Sequence, residues 1–159
     1  MLISTGRVDA GVKLLHRAVE ILEELADTTQ TLETKLDLCE ACDNLGNIYR
    51  LLKKPNEALE YFMRSSQIAK NLTTETEDRG LLYQQAFSQL NIGVLNADPA
   101  CLEDAYCRFV TLTQKYPDIA DYARRRDFAK KKLDELRPVT LADTEKVSFF
   151  SRLKNKFKK

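Results

Sequence analysis

The chain has a single histidine, His16, so any acid–base or nucleophilic pair that uses imidazole must be built on that residue. His16 lies between Leu15 and Arg17 in an amphipathic segment, and no turn motif presents a nucleophile to it. The sequence also has no glycine-rich phosphate loop, H-E-x-x-H motif or calcium loop. We therefore predict that His16 is a half-exposed helical residue. We further predict that the chain is not an enzyme, with no catalytic residue and no small-molecule substrate.

Two cysteines, Cys39 and Cys42, have the C-x-x-C spacing found in metal and redox sites. Both fall on the apolar face of a predicted helix, and the other two, Cys101 and Cys107, are separated by five residues in another predicted helix. Structural zinc sites usually combine two compact pairs of ligands. Buried thiols in a helical core explain the positions better. We therefore predict no metal site and no cofactor.

Length and composition indicate one ordinary globular domain or a short repeat array. The 159 residues are 43% hydrophobic and 31% charged, with few glycines and prolines, which favours helices. No apolar stretch approaches the roughly 18 residues of a membrane-spanning helix, and no signal peptide is recognisable at the start. We expect a cytoplasmic protein with reduced cysteines.

Apolar residues at helical spacing predict six helices separated by short polar or proline-containing breaks. The predicted helices cover about residues 8–25, 32–52, 57–72, 79–95, 102–115 and 119–136. No segment alternates with a period of two for long enough to predict a strand. The expected fold class is all-α, with antiparallel helical hairpins.

One of these hairpins carries a recognisable spacing. Leu45-Gly46 is followed by Tyr49, and Ala58 and Phe62 follow in the next helix. This resembles the tetratricopeptide repeat, whose pattern is W-x2-L-G-x2-Y…A-x3-F, with Cys42 in the tryptophan position. The resemblance implies a short superhelix of stacked hairpins that binds a protein or peptide.

The flanking repeats match the pattern less well. Leu90 and the pair Ala105 and Phe109 resemble a second repeat, and residues 8–25 resemble the second helix of a preceding one. Leu45 and Leu90 are 45 residues apart, which is longer than the usual 34 or so of the family. This resembles long-repeat relatives such as kinesin light chains and spindle-orientation adaptors. The expected organisation is a repeat domain over 1–137 that ends in a capping helix, a linker over 138–146 and a tail over 147–159.

The resemblance also implies which side chains contact a partner, since the first helices of successive repeats line a groove in this family. Aligning Leu45 with Leu90 gives two sets of groove residues. These are Glu40, Asp43, Asn44, Asn47 and Arg50 on the first repeat, and Gln85, Ser88, Gln89 and Ile92 on the second. Asp43 stands where family members that hold acidic chaperone tails have a lysine, which argues against that role. The alternative is that these polar residues are merely a solvated face.

Basic runs at residues 124–126 and 130–132 raise the question of nucleic-acid binding. Three consecutive helical residues spread around the helix, and neighbouring acids dilute the charge. The net charge of the chain is only +1. We expect no nucleic-acid partner.

The last residues, 147–159, form a basic amphipathic tail. At about 100° per residue, Phe149, Phe150, Leu153 and Phe157 share one face of a helix. The cations are Arg152, Lys154, Lys156, Lys158 and Lys159. This pattern is typical of a helix on an anionic membrane surface. A partner's groove and the end of the repeat stack are the alternative docking places.

We therefore predict a non-enzymatic adaptor that binds a peptide or helix in a concave groove, with tethering to an anionic membrane by the tail as a further hypothesis. In that case the protein is cytoplasmic and peripheral at a membrane. The alternative is an obligate structural subunit whose groove is permanently filled by another chain.

Overall fold

The helices begin and end where the local sequence supplies caps. A computed structural model describes residues 3–72 and 78–136, with side chains from residue 8 onward. The helices in it are α1 (Ile3–Thr29), α2 (Leu32–Leu51), α3 (Pro55–Asn71), α4 (Arg79–Asn96), α5 (Pro99–Lys115) and α6 (Ala120–Leu136). The predicted all-α fold of antiparallel hairpins is confirmed, and the described part of the chain contains no strand.

Proline and aspartate explain why α5 begins earlier than the apolar pattern predicts. Asp98 is its N-cap, and the carboxylate accepts hydrogen bonds from the backbone N–H groups of Ala100 and Cys101 at 2.9 and 3.3 Å. Pro99 fits the first helical turn because its missing N–H has no partner there in any helix. Pro55 begins α3 in the same way.

The six helices stack in chain order. Each packs mainly against its neighbours in sequence, and α2 also contacts α4. Helices α2 and α3 form one hairpin and α4 and α5 the next, with α1 against the outer side of α2 and α6 against α5. This succession is typical of a helical repeat array, in which each unit contacts only the next.

Each hairpin is closed around a small residue and a buried phenylalanine. In the first hairpin a Cβ added to Gly46 would lie 2.8 Å from the ring of Phe62. In the second, a Cβ on Gly93 would lie 2.8 Å from Leu102, and Phe109 is fully buried. The two glycines therefore allow the helix pairs to approach closely.

Helix α1 buries one side and exposes apolar residues on another. Val19 and Ala26 pack in a cluster with Leu38 and Leu45 of α2. On the exposed side, Leu14, Ile21 and Leu25 share one face and are 72%, 48% and 42% exposed.

Candidate functional site

The groove residues predicted on α2 lie on one side of that helix. Glu40, Asn44 and Arg50 are exposed and Asn47 is half-buried, whereas Asp43 is only 3% exposed. Among the described residues, Asn44 and Asn47 have no hydrogen-bond partner and Arg50 has no ion pair. The α2 face therefore offers free amides and a free guanidinium.

The residues predicted on α4 have a different position. Gln85, Ser88, Gln89 and Ile92 are 4%, 0%, 7% and 8% exposed, so the expectation that they face the open groove is wrong. They face α3. The Gln85 amide donates to the carbonyl of Ala69 at 3.1 Å, and it also accepts from Arg108.

Ser88 and Gln89, the other two polar residues predicted on α4, also form hydrogen bonds with α3. The Ser88 hydroxyl lies 3.0 Å from Ser65 Oγ, and the Gln89 amide donates to Ser66 Oγ at 3.1 Å. We call the contacts of Gln85, Ser88 and Gln89 with α3 the polar seam. These side chains are buried because α3 supplies a hydrogen-bond partner for each one.

A two-residue error of register explains the misplaced residues. The hairpins superpose at an interval of 47 residues: Gly46 corresponds to Gly93, and the pair Ala58 and Phe62 to Ala105 and Phe109. The alignment of Leu45 with Leu90 instead implied an interval of 45 residues. Two residues on a helix turn a side chain by about 200°, which moves it to the opposite face.

With the interval of 47, the equivalents of Glu40, Asp43, Asn44 and Asn47 are Phe87, Leu90, Asn91 and Val94. These four α4 residues line a cavity together with Asn47 and Arg50 of α2. Sequence reasoning missed them, although the equal spacing from glycine to the A-x3-F pair in both hairpins could have revealed them.

Helix α6 supplies a third set of groove residues that the sequence reading had not recognised. Asp121, Arg124, Arg125 and Phe128 follow the four α4 residues at an interval of 34 and line the same cavity. This interval is about the usual length of a tetratricopeptide repeat. Helix α6 therefore stands in the place of the first helix of a third hairpin.

The groove between α2, α4 and α6 holds two adjoining cavities. The first, of about 420 Å³, we call the basic cavity. It is lined by Asn47, Arg50, Phe87, Leu90, Asn91, Val94, Asp121, Arg124, Arg125 and Phe128. The second, of about 300 Å³, we call the acceptor cavity. It is lined by Glu40, Asp43, Asn44, Asn47, Tyr83, Gln84, Phe87 and Arg125.

Arg125 lies at the boundary of the two cavities. Its guanidinium carbon is 4.7 Å from the ring centre of Phe87 and 5.7 Å from that of Tyr83, within the range of a cation–π contact. Its Nε donates to Asp121 at 2.5 Å. The aromatic walls of the groove thus already hold one guanidinium of the chain itself.

Asp43 is an acid at the base of the groove. The Ser88 hydroxyl donates to its Oδ1 at 3.2 Å. Burial raises the pKa of Asp43 well above its ordinary value, and hydrogen bonds from Ser65 and Ser88 oppose this shift only in part. Burial therefore disfavours the charge of Asp43 unless a further donor or cation reaches its carboxyl group.

The cysteine pair and the single histidine are part of the packing between helices. Cys39 and Cys42 are buried, as predicted, and burial raises the pKa of both thiols to about 12. His16 bridges two tyrosines: its Nε2 lies 2.8 Å from the Tyr49 hydroxyl and its Nδ1 lies 3.1 Å from the Tyr61 hydroxyl. No group of three or more metal-ligating side chains occurs within 8–72 and 78–136.

Comparison with known families supports the hairpin assignment. The tetratricopeptide repeat model matches residues 38–72, which cover α3 and most of α2. These residues form a tetratricopeptide-type repeat. Such repeats are generally modules of protein interaction without catalytic activity. No curated protein and no solved structure matches the chain.

The tail residues predicted to bind a membrane or partner, Phe149 to Lys159, lie outside the described part of the structure. Among the helices that are described, none is both long and apolar enough to cross a membrane.

Proposed function

We propose that this chain is a non-enzymatic adaptor that binds a peptide or helix of a partner protein in the groove between α2, α4 and α6. The observation that carries the proposal is the groove itself. In it, Asn44 and Asn47 of α2, which have no hydrogen-bond partner among the described residues, lie with apolar side chains of α4 and α6. Free amides can bond a peptide backbone with both donor and acceptor, while apolar walls bury partner side chains.

The long-repeat subtype, similar to kinesin light chains and spindle-orientation adaptors, is part of this proposal. The interval of 47 residues between α2 and α4 supports it, whereas the interval of 34 between α4 and α6 has the ordinary family length.

The test begins with selection of binding peptides from a random display library on the immobilised full chain. Fluorescence anisotropy then gives Kd for wild type, Asn47→Ala, Phe128→Ala and the control Glu103→Ala. Asn47 and Phe128 line the basic cavity, whereas Glu103 is exposed on α5. We expect the two groove variants to weaken binding at least about tenfold, the size of one lost buried contact, and the control to leave it unchanged.

Peptides that bind all four proteins equally would place the binding surface elsewhere. Failure to select any peptide that the groove variants weaken would contradict the proposal.

Membrane tethering by the tail is a second part of the proposal and gives the chain a cytoplasmic location, peripheral at a membrane. The support is the pattern of Phe149, Phe150, Leu153 and Phe157 opposite five cations. Co-sedimentation with anionic and neutral liposomes tests it, with the full chain and one ending at Thr144, at low and high salt. Only the full chain should pellet, only with anionic lipid, and less at high salt.

The alternative, an obligate structural subunit, is favoured by one observation. Leu14, Ile21 and Leu25 expose an apolar face on α1, which another chain could cover. This alternative predicts that the purified chain aggregates alone and dissolves only with its partner. An adaptor is instead monodisperse alone in size-exclusion chromatography.

A further inference from the structure

Two buried oxygen atoms in the acceptor cavity have no hydrogen-bond partner among the described residues. They are Oδ2 of Asp43 and Oε1 of Gln84. The two residues are only 3% and 8% exposed, and both line the same cavity. Because buried polar atoms in folded proteins are nearly always hydrogen-bonded, two such oxygens on residues that line one cavity point to a missing donor.

None of the residues that the structure describes supplies that donor. The Ser88 hydroxyl is directed to Oδ1 of Asp43, the other oxygen of that carboxyl group. Arg125 is the nearest cation on the cavity wall, but its Nε is bonded to Asp121 and it forms no ion pair with Asp43. A bound group with N–H donors in this cavity would satisfy both oxygens.

The cavity wall indicates the chemistry of the donor. Glu40 and Asp43 give the cavity two carboxyl groups. Its one lining cation among the described residues, Arg125, is paired with Asp121, so a further positive charge is complementary to the wall. Tyr83 and Phe87 present aromatic rings, and the guanidinium of Arg125 already packs over both. A guanidinium fits all of these features because it is planar, always charged and carries several N–H donors in a fixed fork.

We propose that the acceptor cavity is the subsite for an arginine side chain of the partner peptide, which donates to Asp43 and Gln84 and packs against Phe87. This rests on the proposed function and specifies its partner. Arginine at this point fixes the register of the peptide in the groove, because one charged side chain must enter one cavity. Between two acceptors and an aromatic ring, a guanidinium forms charge-assisted hydrogen bonds, which an uncharged isostere cannot form. The cavity should therefore bind arginine more tightly than that isostere.

The first test uses a small probe and needs no partner. The full chain, labelled with ¹⁵N, is titrated with n-propylguanidinium chloride and with N-propylurea, a neutral molecule of similar shape. We expect a saturable shift of the Gln84 side-chain amide signal with the guanidinium. The apparent Kd for the urea should be at least tenfold weaker, and sodium chloride at equal ionic strength should give no saturable shift.

Variants assign the shift to the cavity. Asp43→Asn should weaken guanidinium binding at least tenfold, whereas Glu103→Gln, a change at an exposed position on α5, should leave it unchanged. Because Asp43 is buried, Glu40→Gln serves as a second variant at an exposed position of the same cavity and should weaken binding about threefold. Equal shifts with guanidinium and urea, or a shift that both Asp43→Asn and Glu40→Gln retain in full, would overturn the proposal, and water would then hold the two oxygens.

Selected groove peptides separate this inference from the proposed function. Replacement of their arginine by citrulline should weaken binding at least tenfold to wild type and less than threefold to Asp43→Asn. Peptides that need Asn47 but contain no arginine would leave the groove function standing and sink the arginine subsite. A saturable guanidinium shift without any groove peptide would support the cation subsite and count against the groove function.

Discussion

Helices α2 and α4 are equivalent in the repeat but place opposite chemistry at equivalent positions. On α2 the groove side is polar, with Glu40 and Asn44 exposed and Asn47 half-buried. On α4 the groove side is apolar, with Phe87 and Val94, while its polar residues are buried in the polar seam. The position of a helix in the stack therefore does not decide which of its faces is polar.

The comparison teaches that a packing interface can be polar when each buried group has a partner. Ser88 and Gln89 find Ser65 and Ser66 across the seam, so their burial does not leave an unpaired donor. Because the polar side of α4 packs against α3 in this way, its apolar side is left to line the groove.

The largest expected effect comes from truncating the buried phenylalanine of each hairpin. The family model matches only the first hairpin, so this comparison tests whether the second is equally well packed. Phe62 and Phe109 are both fully buried. We expect Phe62→Ala and Phe109→Ala each to lower the free energy of unfolding by about 3–5 kcal/mol, because both leave a large cavity. Urea unfolding followed by circular dichroism measures this.

Phe128→Ala is the control, since that ring is 45% exposed, and it should cost less than about 1 kcal/mol. A second hairpin that tolerated Phe109→Ala would not be equivalent to the first.

The next effect concerns the polar seam. Ser88→Ala removes the hydroxyl that contacts Asp43 and Ser65 and adds no new atom. We expect a loss of about 2–3 kcal/mol, because buried polar atoms lose their partner. Thermal and urea unfolding are suitable measurements.

Thr113→Val also removes a half-buried hydroxyl, but one that bonds only the carbonyl of Phe109 in its own helix. That variant should change the stability by less than about 1 kcal/mol. Equal losses in the two variants would show that the seam contributes nothing specific.

The third prediction compares three glycines. A methyl group at Gly46 or Gly93 would collide with Phe62 or Leu102, whereas Gly11 has no atom within 4 Å of an added Cβ. We expect Gly46→Ala and Gly93→Ala to destabilise by about 1–3 kcal/mol through overpacking. Gly11→Ala should stabilise by about 0.5–1 kcal/mol, because alanine is the better helix former.

Chemical denaturation of the three variants gives these values. If Gly93→Ala were as benign as Gly11→Ala, the interval of 47 residues between the hairpins would lose its physical basis.

The smallest effect is a dependence on pH. The pKa of Asp43 is raised in the folded chain, so its neutral form contributes stability that is fully present below the ordinary value near 3.8. That stability is lost as the pH rises through the raised pKa. Asparagine does not titrate, so Asp43→Asn should gain about 1 kcal/mol relative to wild type between pH 4 and pH 8.

Unfolding curves of both proteins over this range measure the difference. If the stability of Asp43→Asn relative to wild type were constant with pH, or fell as the pH rises, the raised pKa of Asp43 would be contradicted.

Much of the fold could be predicted from the sequence because breaks between helices carry their own signals. Pro55 and Asp98 mark helix starts whatever the tertiary surroundings. The side of α2 that lines the two cavities could be predicted because Leu45, Gly46 and Tyr49 fix the register.

The groove on α4 could not be predicted from polarity. Gln85 and Gln89 are polar and buried, whereas Phe87 is apolar and lines the groove, so periodicity indicates the wrong face. Only a spacing argument based on Gly93 and Phe109 finds the correct one. The contribution of α6 was hidden by its charge, since Arg124 and Arg125 suggest a solvated surface.

The polar seam also bears on the cost of binding. Hydrogen bonds have preferred directions, so three of them between α3 and α4 hold the second hairpin at one angle to the first, where a purely apolar contact would allow sliding. That angle sets the distance between Asn47 and Phe87 across the groove. The curvature of the groove is thus established during folding, and a partner loses its own conformational entropy on binding without having to order the groove as well.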